Sequence, residues 1–323
     1  MNMNFPKEKT TRILDIFFRL FKGETISVSQ LANEYEVSTK SVSRDISQIK
    51  IYLSESRDSF GNAELKYSYQ QKAYYLEFDR FLLQKELMAI VKVLIGARAF
   101  SKEELSALIL KLKAFTSPGE RRQLNELIKN EMYHYQEVYH DCDSVIDHLW
   151  QLINAIDKRA EITVTYFKQD RNEVKKRLKP VAVLFSEYYF YLLAYVEEDE
   201  SNPHYFRIDR ITNIVEHRTK FTLSHPFDEG QLKERIHYMY PGVYRKIRFS
   251  FSGPSVQAVL DKIPTARIIR QDGNVSILEA CVYGKGINMF LLSQGSWIKV
   301  LEPKEYVDEI RKEVSEMYHY YME

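Results

Sequence analysis

In Phe206-Arg207-Ile208-Asp209-Arg210-Ile211, the stretch from Phe206 to Asp209 alternates apolar and charged residues, the period of a half-buried strand. Strand alternation turns Phe206 and Ile208 inward and sets Arg207 and Asp209 outward. Asp209 reads as a structural bridge to Arg207 or Arg210. Arg207 and Arg210 themselves read as ligand-binding groups, because arginine offers a forked set of donors suited to phosphate.

The same period governs the chain just upstream. Ile162, Val164 and Tyr166 alternate with Thr163 and Thr165. Leu178-Lys179-Pro180 is expected to turn into Val181 to Phe185, followed by an aromatic strand from Tyr188 to Val196 and an acidic turn from Glu197 to Glu200. Several short strands in so few residues predict a small twisted barrel. Between Lys158 and Lys179, eight basic residues face only Glu161, Asp170 and Glu173. Arginine and tyrosine converging on one surface suit a phosphate-bearing or single-stranded ligand, the tyrosines supplying stacking faces.

Three pieces carry a resemblance to the WYL domain: Arg177-Leu178-Lys179-Pro180, Phe190-Tyr191-Leu192, and Phe206 to Ile211. Phe190 stands where the family has its naming tryptophan. The resemblance implies an Sm-like β-barrel that senses a nucleotide or single-stranded nucleic acid. Onto this chain it carries Tyr191, Arg207, Arg210 and Arg177 as ligand-binding positions.

Toward the N-terminus the period becomes helical. Ile13, Ile16, Phe17, Leu20 and Phe21 form a stripe that Gly23 ends. Ser27-Val28-Ser29-Gln30 fits a capping box opening a second helix. Glu36-Val37-Ser38 is the turn, and Ser38 caps a third helix with Val42, Ile46, Ile49 and Leu53 on one face. The other face carries Thr39, Lys40, Ser41, Ser43, Arg44 and Gln48. This is helix–turn–helix spacing, in which the third helix presents side chains to base edges. Arg44 matches guanine, Gln48 adenine and Lys40 a phosphate. Asp45 is ill-suited to a phosphate backbone and reads as paired with a basic residue or capping a neighbour. Ile51 reads as packing on the hairpin predicted from Leu65–Tyr69 and Ala73–Leu76, which serves as a wing bearing Lys66 and Lys72. The run from Leu31 to Ser38, with Ser43-Arg44-Asp45-Ile46, resembles the DNA-binding domain of DeoR-type regulators.

Residues 82–157 are helix-rich, with predicted starts near Glu86, Ser101, Ser117-Pro118 and Ser144. His134, Glu137, His140, Asp141, Cys142, Asp143 and His148 supply metal-ligand types, but their order matches no paired zinc spacing. They read as a polar loop, with Asp143 or Ser144 capping the next helix. From residue 243 onward the pattern is β-α-β-β-α-β-α, ferredoxin-like, and it resembles the extension that commonly follows WYL domains. Lys285, Arg267 and Arg270 read as solvated charges.

The expected fold is multidomain α+β. It comprises a winged helix–turn–helix over 1–80, a helical connector over 81–157, a WYL Sm-like barrel over 158–225 and a ferredoxin-like domain over 226–323. Composition agrees. The chain has 323 residues, a length that fits more than one domain. Its net charge of +1, from 46 Lys and Arg against 45 Asp and Glu, is a sum that conceals separated patches. Two cysteines far apart imply no disulfide framework. Glycine numbers only 11, and no Walker loop, nucleophile elbow or His-Glu-x-x-His helix occurs. Met1 to Lys9 has no leader-like apolar core, and no stretch reaches the length of a membrane span, so a cytoplasmic protein is expected. The function that follows is a ligand-responsive transcriptional regulator, not an enzyme. It would be a homodimer on double-stranded operator DNA with a nucleotide or single-stranded effector and no cofactor. The rival readings are a metal-dependent nucleic-acid-processing enzyme acting through residues 134–148 and a protein adapter that never touches DNA.

Overall fold

The computed structural model describes residues 8–56, 63–77, 84–113, 118–196, 199–223, 230, 236, 238–240 and 242–322. The chain divides into two compact units, Met1–Glu137 and Val138–Glu323. Mixed helices and antiparallel sheets make it a multidomain α+β protein.

The first unit opens with α1 (Lys9–Phe21), α2 (Val28–Glu34) and α3 (Thr39–Glu55), followed by the hairpin of β1 (Glu64–Ser68) and β2 (Ala73–Glu77). Ile16, Leu20, Leu31, Val42, Ile46, Ile49 and Leu53 close on one core, which Leu65 of the hairpin joins. These are the stripe positions of the sequence, so period alone placed them. Ile26 and Tyr74 exchange backbone hydrogen bonds of 2.8 and 2.7 Å, adding a third rung beside the hairpin.

Polar contacts on the face of α1 fasten the other two helices. Arg12 donates to Asp45 on α3 at 2.6 Å, with the two residues only 5% and 1% exposed. Asp15 accepts from the Tyr35 hydroxyl, and Arg19 forks onto Glu34 at 3.0 and 2.9 Å. Burial, reinforced by Asp15, pushes the Tyr35 phenol well above its ordinary range. Two expectations change here. Ser27 stands at the N-cap of α2, but its hydroxyl meets Ser29 at 3.0 Å rather than a backbone N–H, so no capping box forms. Ile51 is 55% exposed and does not pack on the hairpin.

Helices α4 (Gln84–Ala97), α5 (Lys102–Lys113) and α6 (Pro118–Tyr133) complete this unit. They bury Leu87, Val91, Leu105, Ile109, Leu124 and Ile128, and Tyr135 donates to the Phe100 carbonyl at 2.7 Å. The proposed start at Ser117 lies outside the described residues.

The second unit begins with α7 (Val145–Lys158), capped by Ser144, whose hydroxyl accepts from the Asp147 N–H at 3.1 Å. Next come β3 (Ala160–Phe167), β4 (Glu173–Ser186), β5 (Tyr189–Val196), β6 (Asp199–Arg207) and β7 (Ile211–Lys220). They form one antiparallel sheet in the order β6-β5-β4-β3-β7. One face buries Ile162, Val164, Leu178, Leu192 and Ala194 against Leu152 and Ala155 of α7. The opposite face carries Leu184, Leu193, Tyr191 and Tyr205 and packs against Ile236 and Met239.

Pro180 does not turn the chain. It lies inside β4, where the ladder to β5 shifts register between Pro180 and Ala182. Proline has no N–H to donate, and a bulge tolerates that loss. Of the expected acidic turn, 197–198 lie outside the described residues, and Asp199 already belongs to β6.

The last segment holds β8 (Tyr244–Phe251), α8 (Val256–Lys262), β9 (Arg267–Asp272), β10 (Val275–Tyr283), α9 (Gly286–Ser293), β11 (Ile298–Glu302) and α10 (Lys304–Met322). Its antiparallel sheet runs β11-β8-β10-β9. Ile247, Phe249, Leu278, Ala280, Val282 and Val300 bury one face against Val259, Ile287, Leu291 and Tyr306 of the helices. On the other face Glu279 is 3% exposed and is surrounded by Lys246, Arg248 and Arg267 at 2.9, 3.0 and 2.6 Å. Hydrogen bonds from these cations hold its carboxyl down at about 2, against an ordinary 4.5. A depressed carboxylate stabilises the fold above its unfolded pKa, and that contribution fades as pH falls toward the folded value. Acid unfolding followed by circular dichroism between pH 5 and pH 2 is therefore expected to show a shallower loss of stability in Glu279→Gln than in the parent. Equal slopes in the two proteins would contradict this. Among the described residues no helix is long and apolar enough to cross a membrane.

Candidate functional site

Two surfaces gather the residues singled out in the sequence. The first is the outer face of α3. Ser38 caps the helix, accepting from the Ser41 N–H at 3.2 Å and lying 2.9 Å from the Ser41 hydroxyl. Capping fixes the first turn, so Thr39, Lys40, Ser43, Arg44 and Gln48 all emerge exposed. Ser41 is half-buried and already engaged with the cap, so it is the least available of the six. Lys40 and Arg44 form no ion pair with any described residue. Asp45, the only carboxylate on α3 before Glu55, turns inward to Arg12, and the exposed face is left without a negative charge over that span. On the hairpin, Lys66 is paired with Glu77 and Lys72 is exposed at the turn with φ +50°.

The second surface lies at one end of the β6-β5 pair. Tyr191 and Arg207 are direct cross-strand partners, so their side chains share a face. Strand alternation does not continue past Arg207. Ile208–Arg210 is a single 3₁₀ turn, and Asp209 swings inward to 5% exposure instead of facing solvent. Its carboxylate receives the Arg207 fork at 3.2 and 2.6 Å, the structural bridge anticipated from the sequence. Burial works against the Arg207 charge, but the Asp209 hydrogen bonds outweigh it and raise the guanidinium pKa. The Arg207 guanidinium also lies 3.4 Å above the Tyr189 ring centroid. Such stacking is worth about 0.5–2 kcal/mol, more where water is excluded. Burial pushes the Tyr191 phenol up to about 12, so it remains a neutral donor at physiological pH.

Arg210, at the end of the same turn, is half-buried and forms no ion pair with a described residue. With Arg207 committed to Asp209, Arg210 is the arginine of this turn without an ion-pair partner among the described residues. Arg177 is not brought to this cluster. Glu161 holds it at 2.9 and 2.6 Å, and it lies seven positions along β4 from Leu184, the partner of Tyr191. That places it about 20 Å along the strand.

Two participants escaped the sequence reading. Tyr189 shares its face with Tyr191 by simple i, i+2 alternation, a signal present in the run Tyr188-Tyr189-Phe190-Tyr191. The other is backbone. The Asp209 carbonyl accepts N–H groups of Asp141 at 2.8 Å and Cys142 at 3.2 Å, and Asp141 is held by Arg171 at 2.7 Å. Among the described residues, no three His, Cys, Asp or Glu side chains come together to hold a metal ion.

No curated protein sequence matches the chain. Among solved structures it is similar to proteasome accessory factor B/C (PafBC) of Arthrobacter aurescens, at 15% identity and a TM-score of 0.28, over 95% of this chain and 47% of that one. The chain thus spans about half the length of that protein. It is also similar to a CRISPR Cas-related protein, at 13% identity and a TM-score of 0.37, over 98% of this chain and 93% of that one. The family description that matches the sequence is the WYL domain, over residues 147–216. Those residues run from the first turn of α7 into β7 and include the Tyr191–Arg207–Arg210 cluster, so this part of the chain is a WYL domain.

Proposed function

We propose that this protein is a ligand-responsive, DNA-binding transcriptional regulator. In this reading α1–α3 and the β1–β2 hairpin, with the Ile26–Tyr74 rung, form a winged helix–turn–helix. The five-stranded sheet is the Sm-like barrel, and the β11-β8-β10-β9 order is that of a ferredoxin-like domain. The protein would act in the cytoplasm as a homodimer on double-stranded operator DNA. Tyr191, Arg207 and Arg210 would meet a nucleotide or single-stranded effector.

The observation that carries this reading is the charge arrangement on α3. Lys40 and Arg44 are exposed and form no ion pair with any described residue, while Asp45 is buried against Arg12. A helix placed against phosphates gains from this arrangement, because inward pairing of Asp45 removes its repulsion of the DNA backbone. Effector binding would alter operator affinity only if the effector has different affinities for two arrangements of the protein.

The test begins with genome-wide capture of bound DNA to identify a duplex site. On that site Arg44→Ala is expected to cost about 1–3 kcal/mol and to relax selectivity at one base pair. Lys40→Ala is expected to weaken binding across all sequences and to reduce the salt slope by about 0.9. Unchanged duplex binding in both variants at physiological salt would sink the regulator reading and favour an adapter.

A further inference from the structure

The solvent face of the C-terminal sheet gathers Lys246, Arg248, Arg267, Arg270 and Lys299 with Glu279 and Glu302, and two bulges shape it. In a regular strand Arg267 and Arg270 point to opposite faces. The β9–β10 ladder shifts between Ile277 and Leu278, so Arg267 pairs with Glu279 and Arg270 with Ile277, both on the face away from the core. The opposite edge repeats the device. Lys299 pairs with Ser250 and Glu302 with Arg248, with a shift between Val300 and Glu302. A bulge re-aims a side chain, and here the β9 edge gains a cation and the β11 edge a carboxylate, Glu302, on the same face.

The resulting rows are regular. Lys299, Ser250, Ile277 and Arg270 form one row, and Glu302, Arg248, Glu279 and Arg267 the next. Lys246 opposite Cys281 begins a third. Successive rows lie about 7 Å apart, of the order of the separation of phosphates along an extended strand. The carboxylates reduce the charge of the face without cancelling it: Glu302 pairs with Arg248 at 3.0 Å and Asp272 with Arg270 at 3.1 Å, so with Glu279 three carboxylates stand against five cations. Glu279 is buried beneath three cations, so it fixes their positions while Arg267 stays 70% exposed. The helix side is less basic, with Glu305, Asp308, Glu309, Glu313 and Glu316 against Lys304, Arg311 and Lys312 along α10.

We infer that this sheet face is a second nucleic-acid contact, distinct from the barrel cluster, that binds the phosphate backbone of an extended single strand. An open four-stranded sheet accepts a splayed strand across its surface. Cations in rows would track the backbone with little regard for base identity. The surface lies on a different sheet from Tyr191, Arg207 and Arg210 and does not depend on the reading of that cluster.

The test is fluorescence anisotropy of a labelled oligothymidine titrated with the full-length protein between about 50 and 200 mM salt. The variant Arg267→Gln/Arg270→Gln/Lys299→Gln leaves Glu279 its bonds to Lys246 and Arg248. It is expected to lose about two units of the log–log salt slope, since each single-strand phosphate contact contributes about 0.7. The charge-preserving Arg267→Lys/Arg270→Lys should keep the slope, which separates charge from fold. Arg210→Gln is measured alongside. A slope unchanged in the triple variant, or lost only in Arg210→Gln, would overturn the second contact. A duplex that competes as well, phosphate for phosphate, would overturn its assignment to a single strand.

Discussion

Replacing Asp45 by alanine is expected to destabilise the first unit by about 3–5 kcal/mol, because it leaves the Arg12 charge buried without its carboxylate. The pair is 2.6 Å long, and both side chains are almost completely shielded. A folded domain is stable by only about 5–15 kcal/mol, so the loss should appear as a clear drop in the urea midpoint. A second variant shows what the pair is for. Arg12→Leu/Asp45→Leu should recover most of the loss, since apolar residues commonly replace a buried ion pair at little cost. Asp45→Ala within 1 kcal/mol of the parent would mean that water reaches Arg12 and that α3 is not anchored in this way.

The second large effect is expected at Asp209. Asp209→Ala removes both acceptors of the Arg207 fork, and about 2 kcal/mol of stability should go with them. The stack of Arg207 on Tyr189 loses its orienting partner at the same time. Affinity of the Tyr191–Arg207–Arg210 cluster for an anionic probe such as oligothymidine should therefore fall at least tenfold, with the titration run in the background lacking Arg267, Arg270 and Lys299. Asp209→Asn keeps one acceptor and should fall between the two proteins. If Asp209→Ala lowered the melting temperature but left probe affinity intact, Arg207 would be a purely structural residue.

Much of this architecture could be read from the chain in one dimension. Helical stripes such as Val42, Ile46, Ile49 and Leu53 became core positions, and Ser38 and Ser144 cap the helices that they precede. The hairpin at 64–77 and the alternation of β and α segments from 244 to 322 also stand where the periodicity put them. These features rest on interactions within a few residues, where spacing and side-chain type suffice. The cluster at the end of the β6-β5 pair was partly legible. Tyr191, Arg207 and Arg210 come together, whereas Arg177 belongs to the far end of β4, and Tyr189 was hidden in a run where several aromatics compete for one face.

The sequence by itself determined the element types, their order, the WYL motif and the polar face of α3, because period, capping and local charge are properties of neighbours along the chain. Tertiary structure alone decided where the charges point. Asp209 turns inward because a 3₁₀ turn interrupts the strand, and Asp45 is neutral to the outside because α1 places Arg12 beside it. Arg270 reaches the cation face because a bulge shifts the ladder by one residue. Each of these depends on a partner contributed by another element or on a register set by pairing. A shift of a single residue in register reverses the face on which a side chain appears.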